Sequence, residues 1–206
     1  MPVAAGETLD PRRTRRRILD AAAELFYARG VNAVGVNEIA AAAGASKVSL
    51  YRNFESKDDL VAAVVAERSD RVHGWLRAGS DDAPAGTARI LKLFDLLAEW
   101  FAEPGFRGCA VLNTAVDTRA ASRSGERDAA REIATTVHRH LERYLELLTE
   151  LLAELEPPPT DADFLARQLL VLIEGATAVA AARPDEATRS LAAARAAAAA
   201  LIAGRS

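Results

Sequence analysis

The sequence predicts an all-α fold of about nine helices. Ala, Leu, Arg and Glu are abundant and β-branched runs are few, a composition that suits helices. Apolar residues recur at three- and four-residue spacing over most of the chain. Gly- and Pro-rich stretches separate these periodic segments.

The first helix is expected where Asp10 and Pro11 suit the N-cap and first helical position. Five arginines follow within RRTRRR, residues 12–17. They lead into an apolar pattern at Ile18, Ala22, Leu25 and Phe26. By itself such a charge run also reads as a solvated tail.

Residues 36–54, VNEIAAAAGASKVSLYRNF, predict two short helices joined at Gly44-Ala45-Ser46. Ile39, Ala40 and Ala43 form a small apolar face that lets a second helix cross closely. Gly44 tolerates the positive φ of a sharp turn, and Ser46 suits the next N-cap. Leu50 should point back to Ile39 and Ala43, with Phe54 closing the unit. The second helix presents Lys47, Ser49, Tyr51, Arg52 and Asn53 and is sized for the DNA major groove. The same turn also occurs in ordinary αα-hairpins. Ser56 and Asp59 then form a capping box for the following helix, whose first turn with Lys57 can receive a phosphate.

Charge separates one end from the rest. The chain carries a net charge of −3. Yet residues 11–57 hold nine basic residues (Arg12, Arg13, Arg15, Arg16, Arg17, Arg29, Lys47, Arg52, Lys57) against four acidic ones (Asp20, Glu24, Glu38, Glu55). A basic end on an acidic body orients a protein toward a polyanion. Of only three lysines, Lys47 and Lys57 lie in this end and Lys92 outside it.

The run ILDAAAELFYARGVNAVGVNEIAAAAGASKVSLYRNFESKDDLV, residues 18–61, resembles the DNA-binding domain of TetR-family transcriptional regulators. The resemblance rests on Phe26 and Gly30, on Ile39, Ala40 and Gly44, and on Leu50, Tyr51, Phe54, Ser56, Lys57 and Leu60. Many members have Thr where this chain has Gly35, a weaker N-cap than Ser or Asp; Asn37 or the backbone then takes the phosphate contact. The resemblance implies a three-helix helix-turn-helix domain with a basic arm, residues 1–56. An effector-binding and dimerisation bundle, residues 57–206, would follow. Expected phosphate contacts are the N-terminal arginines (Arg12, Arg13, Arg15), Tyr51 and Lys57. Base edges fall to Lys47, Ser49 and Arg52, Asn53 suits either, and Asn37 and Ser46 complete the DNA-binding set.

Further helices follow by pattern. Residues 57–78 place Leu60, Val61, Val64, Val65, Val72, Trp75 and Leu76 along one side, and GSDDAPAG, residues 79–86, ends that helix. Residues 87–102 repeat the spacing with Ile90, Leu91, Phe94, Leu97 and Phe101, up to the break at Pro104-Gly105. A short helix at 108–118 and a polar loop, RAASRSGE, precede a long helix over 125–155. Its stripe is Ile133, Val137, Leu141, Tyr144, Leu148 and Leu152. Pro157-Pro158-Pro159 stops it, and Thr160 with Asp163 reads as another capping box. The last helices are expected at 161–182 and 185–203.

Those last two helices suggest a homodimer surface at Leu165, Leu169, Leu172, Ile173, Ala176, Val179, Leu191 and Ala198, since helices apolar on most sides find partners. Internal packing is the alternative; the resemblance favours the dimer. The central helices, 87–155, are expected to enclose a small, apolar or aromatic effector. Phe94, Trp100, Phe101, Cys109, Asn113, His138 and Tyr144 are the candidate lining; plain core packing is the alternative for the aromatics. The segment GCAVLNTAVD, 108–117, resembles a G-C-x-x-x-N pattern of some members' ligand domains, with Asn113 and Asp117 on one face.

Catalysis finds no support. His138 and His140 sit two apart and face different sides of a helix, and no metal-ligand spacing, P-loop, GxGxxG or GxSxG occurs. No cofactor and no metal is expected. One cysteine, Cys109, forms no intrachain disulfide and fits a reducing cytoplasm. No signal-peptide core is evident and no apolar run reaches bilayer-spanning length, so no membrane partner is expected. The reading is a nucleoid-associated, cytoplasmic regulator that binds a palindromic double-stranded operator as a homodimer and is released by an effector. The alternatives are a DNA-binding regulator without a small-molecule effector, or a helical ligand-binding or enzymatic module.

Overall fold

The computed structural model describes residues 11–121 and 127–204. Asp10 and residues 122–126 of the expected polar loop lie outside the described residues. The described chain is helical throughout. It comprises α1 (Pro11–Arg29), α2 (Val36–Ala42), α3 (Lys47–Asn53), α4 (Lys57–Asp81) and α5 (Thr87–Phe101). After these come α6 (Ala110–Ala121), α7 (Arg127–Ala153), α8 (Ala162–Ala182), a 3-10 turn at Pro184–Glu186 and α9 (Ala187–Ala203).

Two compact units divide it. The first takes in the chain to Glu67 together with Thr114–Ala134; the second comprises Arg68–Asn113 and the chain from Thr135 onward. Helices α4, α6 and α7 therefore each supply residues to both. In the first unit α1, α2 and α3 pack on one another. Their core is Ile18, Ala22 and Phe26 from α1, Val31 and Val34 from the following loop, Ile39 and Ala40 from α2, and Leu50 from α3. Phe54 and Leu60 close it.

In the second unit α8 and α9 pack along each other and both meet α5. The core there is Ile90, Leu93, Phe94 and Leu97 of α5, Tyr144, Leu148 and Leu152 of α7, and Leu169 and Ile173 of α8. Trp100 meets Trp75 and Phe106 edge-on, and Phe101 stacks obliquely against Phe106.

Several boundaries differ from the sequence expectation for visible reasons. Helix α4 runs through Gly79 and Ser80 to Asp81, because Ser80 is buried and its hydroxyl donates to Arg77 O at 2.8 Å. Position 79 suits glycine because an added Cβ would meet the Leu96 side chain at 2.7 Å. Helix α8 is capped by Asp161, whose carboxylate accepts from Phe164 N at 2.9 Å, rather than by Thr160.

The expected dimer residues are largely spent on the chain's own packing. Leu165, Leu169, Ile173, Ala176, Leu191 and Ala198 are buried, because the faces carrying them turn toward the bundle that α8 and α9 build with α5. Leu172 is half-buried and Val179 exposed. The open side of α8 instead carries Phe164, Val171 (70% exposed) and Val179. Ala192, Ala193, Ala196 and Ala200 form the open side of α9.

By length and composition α8 is also apolar enough to cross a bilayer, which the sequence reading did not anticipate. Within its unit one side of α8 packs against α9 and α5, and 39% of that apolar stretch is buried.

Candidate functional site

The helix-turn-helix is built as its residues dictate. Gly44 takes φ 58 at the turn, a left-handed conformation that costs a glycine little. Ser46 caps α3 by accepting from Ser49 N at 3.0 Å. Ser56 accepts from Asp59 N at 3.0 Å while the Asp59 carboxylate accepts from Glu55 N at 2.9 Å, which completes a capping box at α4. Gly35 gives α2 no side-chain cap; its carbonyl takes Glu38 N and Ile39 N instead. Leu50 has no exposed surface, so α3 is anchored from beneath. Anchoring at that point fixes which residues face outward.

Lys47, Tyr51 and Arg52 are exposed, with Lys47 Nζ 5.9 Å from the Tyr51 ring centroid. Val48, which the sequence reading passed over, is 61% exposed between them. Its position next to Lys47, on the side away from Leu50, was the available signal. Ser49 is half-buried. Asn53 is half-buried and donates from Nδ2 to Ser49 O at 2.8 Å, so it braces the helix.

Residues flanking α3 divide by role. Arg12 and Arg13 are exposed on the first turn of α1, and Asn37 is exposed on α2. The arginines lie on a helix from Pro11 onward. Arg15 holds its guanidinium 4.8 Å from the Phe54 ring centroid, a cation–π contact that fixes its direction. Arg16 is paired with Asp20 and Glu67, and Arg29 with Glu38. Neither is a free cation. Lys57 donates from Nζ to Val31 O at 2.7 Å, so at least one of its donors is turned inward rather than toward a phosphate.

The opposite side of the same loop is held by α6. Val31 N donates to Asp117 Oδ2 at 3.1 Å, and Asn32 Nδ2 donates to Asp117 O at 3.0 Å. Gly30, at φ 80, is the residue that fits, since a Cβ there would lie 2.8 Å from Asp117 Oδ2. Lys57 and Asp117 therefore grip Val31 from its carbonyl and amide sides. Asp117→Ala should cost about 1–3 kcal/mol of stability by leaving a partly buried N–H unmet. Asp117→Asn keeps an acceptor oxygen and should stay close to wild type; denaturant melts of both variants check this.

The second unit contains a polar cluster within its apolar packing. Ser69 Oγ lies 2.9 Å and His73 Nε2 3.0 Å from His140 Nδ1, and Cys109 Sγ lies 3.6 Å from His140 Nε2. Both imidazoles meet the Tyr144 ring edge-on. Burial, with Arg143 in support, lowers His73 to about 4. Burial, then His73 and Arg143, lowers His140 to about 3. Burial pushes the Cys109 thiol up to about 11, so it stays protonated and unreactive at neutral pH.

Of the expected effector residues, Cys109 and Tyr144 belong to this cluster. Phe94 and Trp100 are buried and Phe101 is half-buried. Asn113 is exposed and donates to Arg107 O at 2.9 Å, so it does not line an interior. His138 is exposed and lies 2.9 Å from Glu142, an i,i+4 contact on the outer face of α7. The inward histidine is His140, which shares its face with Ile133 and Tyr144. Ser69 and His73 were likewise missed. They continue the buried row from Val65 to Leu76 at helical spacing, but a search for apolar residues skips them.

Comparison with known proteins agrees with this architecture. Residues 18–64 match the family described as bacterial regulatory proteins, tetR family. Residues 87–197, more than half of the chain, match the LmrA/YxaF-like C-terminal domain of transcriptional regulators. The HTH-type transcriptional regulator Rv1255c of Mycobacterium tuberculosis is 37% identical over 112 residues, covering 48% of this chain and 55% of that protein. The chain thus spans about half the length of this curated relative. The HTH-type transcriptional repressor KstR2 of Rhodococcus jostii is 38% identical over 76 residues, 37% of each chain. The crystal structure of SCO4454, a TetR-family regulator from Streptomyces coelicolor, superposes with a TM-score of 0.79 at 26% identity, over 95% of this chain and 91% of that one. With the helix-turn-helix head and the helical body both matched, the chain belongs to the TetR family of DNA-binding transcriptional regulators.

Proposed function

We propose that the chain is a one-component repressor that holds a palindromic operator as a homodimer and is released by a small-molecule effector. The observation that carries this reading is the face of α3. Lys47, Val48, Tyr51 and Arg52 stand outward on a helix anchored by the buried Leu50. Lys47 and Arg52 suit guanine O6 and N7, and an exposed valine suits a thymine methyl. Arg12, Arg13 and Arg15 supply positioning charge for the phosphates.

One short helix reads few base pairs, so two copies related by a twofold axis are needed to read half-sites in successive major grooves. Family members act as dimers, and the open stripe of Phe164, Val171 and Val179 on α8 is the surface this reading assigns to the second copy. Its place of work is the cytoplasm, at the nucleoid.

Release follows from helices shared between the units. Helix α4 carries Lys57, which holds the Val31 carbonyl, and also Ser69 and His73 of the polar cluster. Helix α6 carries Asp117 and begins directly after Cys109. An effector that binds one arrangement of these helices more tightly shifts the population toward it; equal affinity for both arrangements shifts nothing.

The test begins with DNA fragments retained by the purified chain, followed by mobility shifts at several salt concentrations. Specific retention should weaken steeply with salt. Arg52→Ala should cost about 1–3 kcal/mol on the retained site and relax discrimination at one or two positions. Equal retention of all duplexes by wild type would sink the proposal.

A further inference from the structure

The outward face of α3 has an apolar group at its centre. Leu50 has no exposed surface, so it fixes the inner side of the helix. At about 100° per residue, Val48 and Arg52 each point about 160° away from Leu50 and lie about 40° apart. Tyr51 and Lys47 flank them on one side, at about 100° and about 60° from Leu50, and Ser49 and Asn53 flank them on the other. Burial follows these directions: Val48 and Arg52 are exposed, whereas Ser49 and Asn53 are half-buried. Val48 and Arg52 therefore stand nearest the base edges when α3 lies in a groove, one turn apart on a shared face.

The neighbours of Val48 have polar work. Lys47 Nζ lies 5.9 Å from the Tyr51 ring centroid, and Asn53 Nδ2 donates to Ser49 O at 2.8 Å. Val48 is 61% exposed and has no polar side-chain atom. A branched aliphatic side chain left in water amid basic residues gains free energy only from an apolar partner. The major groove displays hydrogen-bond donors and acceptors on every base pair, and its apolar feature is the 5-methyl group of thymine. Branching at Cβ holds χ1 of Val48 in few rotamers, so its two methyl groups are already aimed before contact.

We infer that Val48 is a specificity-determining residue that reads a pyrimidine 5-methyl group in each operator half-site, beside the guanine taken by Arg52. The inference deepens the operator reading above and rests on it. Val48 and Arg52 are separated by about 6 Å along the helix axis. With base pairs about 3.4 Å apart, the methyl lies within about two base pairs of that guanine. Val48 reads the methyl alone. It has neither donor nor acceptor, so it does not tell the thymine O4 from the cytosine N4 amine. A 5-methylcytosine at this position meets Val48 as thymine does, and an unmethylated cytosine does not. Cytosine methylation in an operator that carries C–G at this position is thereby an input to binding.

The experiment is a mobility-shift titration of the full chain on the retained site. Each thymine is replaced in turn, in both half-sites, by uracil, cytosine or 5-methylcytosine. Uracil removes the methyl and keeps every hydrogen-bonding group. At one position uracil should weaken binding roughly fourfold per half-site, the transfer energy of one methyl. There 5-methylcytosine should bind roughly fourfold per half-site more tightly than cytosine. The salt slope should be equal on thymine and uracil sites, because no charge is lost. Val48→Ser, at an exposed position, should bring both ratios close to one. Val48→Ile keeps a branched apolar side chain and should keep both ratios.

Uracil tolerated by the wild type at every position would overturn the inference without either variant. Ratios unchanged in V48S would assign the methyl to another side chain and overturn it too. Specific retention with either result leaves the DNA-binding reading in place and removes the role of Val48. Equal retention of all duplexes removes both.

Discussion

Leu50→Ala is expected to abolish operator retention although Leu50 touches no DNA-facing group. Its side chain has no exposed surface and sits where α3 meets the core formed by Ile18, Ile39 and Ala43. Truncating a fully buried leucine costs about 2–5 kcal/mol through lost transfer energy and the residual cavity. A domain commonly has only about 5–15 kcal/mol in total, and a three-helix head stands at the low end of that range. Helix α3 has just seven residues and could not persist alone. Loss of this one contact should therefore free the whole reading surface. A denaturant melt should show an early transition for the head, and mobility shifts should show retention reduced well beyond the loss caused by Arg52→Ala. Wild-type retention by L50A would contradict the packing described here.

Acid should destabilise the second unit by several kcal/mol. His73 and His140 have folded values of about 4 and about 3 against 6.5 for a free imidazole. Between those values the unfolded chain binds more protons than the folded one. Each histidine then contributes stability that is fully present above about 6.5 and is lost as pH falls, at about 1.4 kcal/mol per pH unit. Glu174 works in the other direction. Its value is raised from 4.5 to about 7, so its contribution is present below about 4.5 and lost as pH rises through about 7. Being partly exposed, Glu174 offsets at most one histidine between pH 6.5 and 4.5. The net loss over that window is therefore at least roughly 3 kcal/mol. Fluorescence of Trp75 and Trp100, both in this unit, can follow urea melts at several pH values. His140→Phe should make the dependence shallower by about one histidine's share, because one of the two neutral imidazoles is gone. A wild-type midpoint independent of pH in this window would show that the imidazoles are not held neutral.

Much of the head was legible because its signals are local. Ser46, Gly44, Ser56 and Asp59 each act within four residues, and each does in the structure what its chemistry suggests. Helix positions in the body were legible for the same reason, down to the apolar stripes of α5 and α7. What was not legible depends on distant partners. Asp117 meets Val31 across 86 positions, and no local pattern marks an aspartate as the anchor of a loop so far away. Lys57 was read as a phosphate ligand, and its bond to Val31 O, 26 positions away, has no local signal in the sequence. A helix apolar on most sides does not declare which side its own chain will take. Leu169 and Ile173 went inward, and Phe164 and Val171 stayed out. His138 and His140 were separable in principle, since counting seven from Ile133 reaches His140 and four more reaches Tyr144.

The uncovered stripe on α8 has a consequence for dosage. If a two-headed complex forms only after two copies meet through Phe164, Val171 and Val179, scarce protein exists mostly as single copies that grip a duplex weakly. Occupancy then climbs faster than expression, close to its square at low abundance, until pairing saturates. A cell that halves synthesis of such a protein would empty the site by more than half, so dilution by growth after synthesis falls can itself act as a signal.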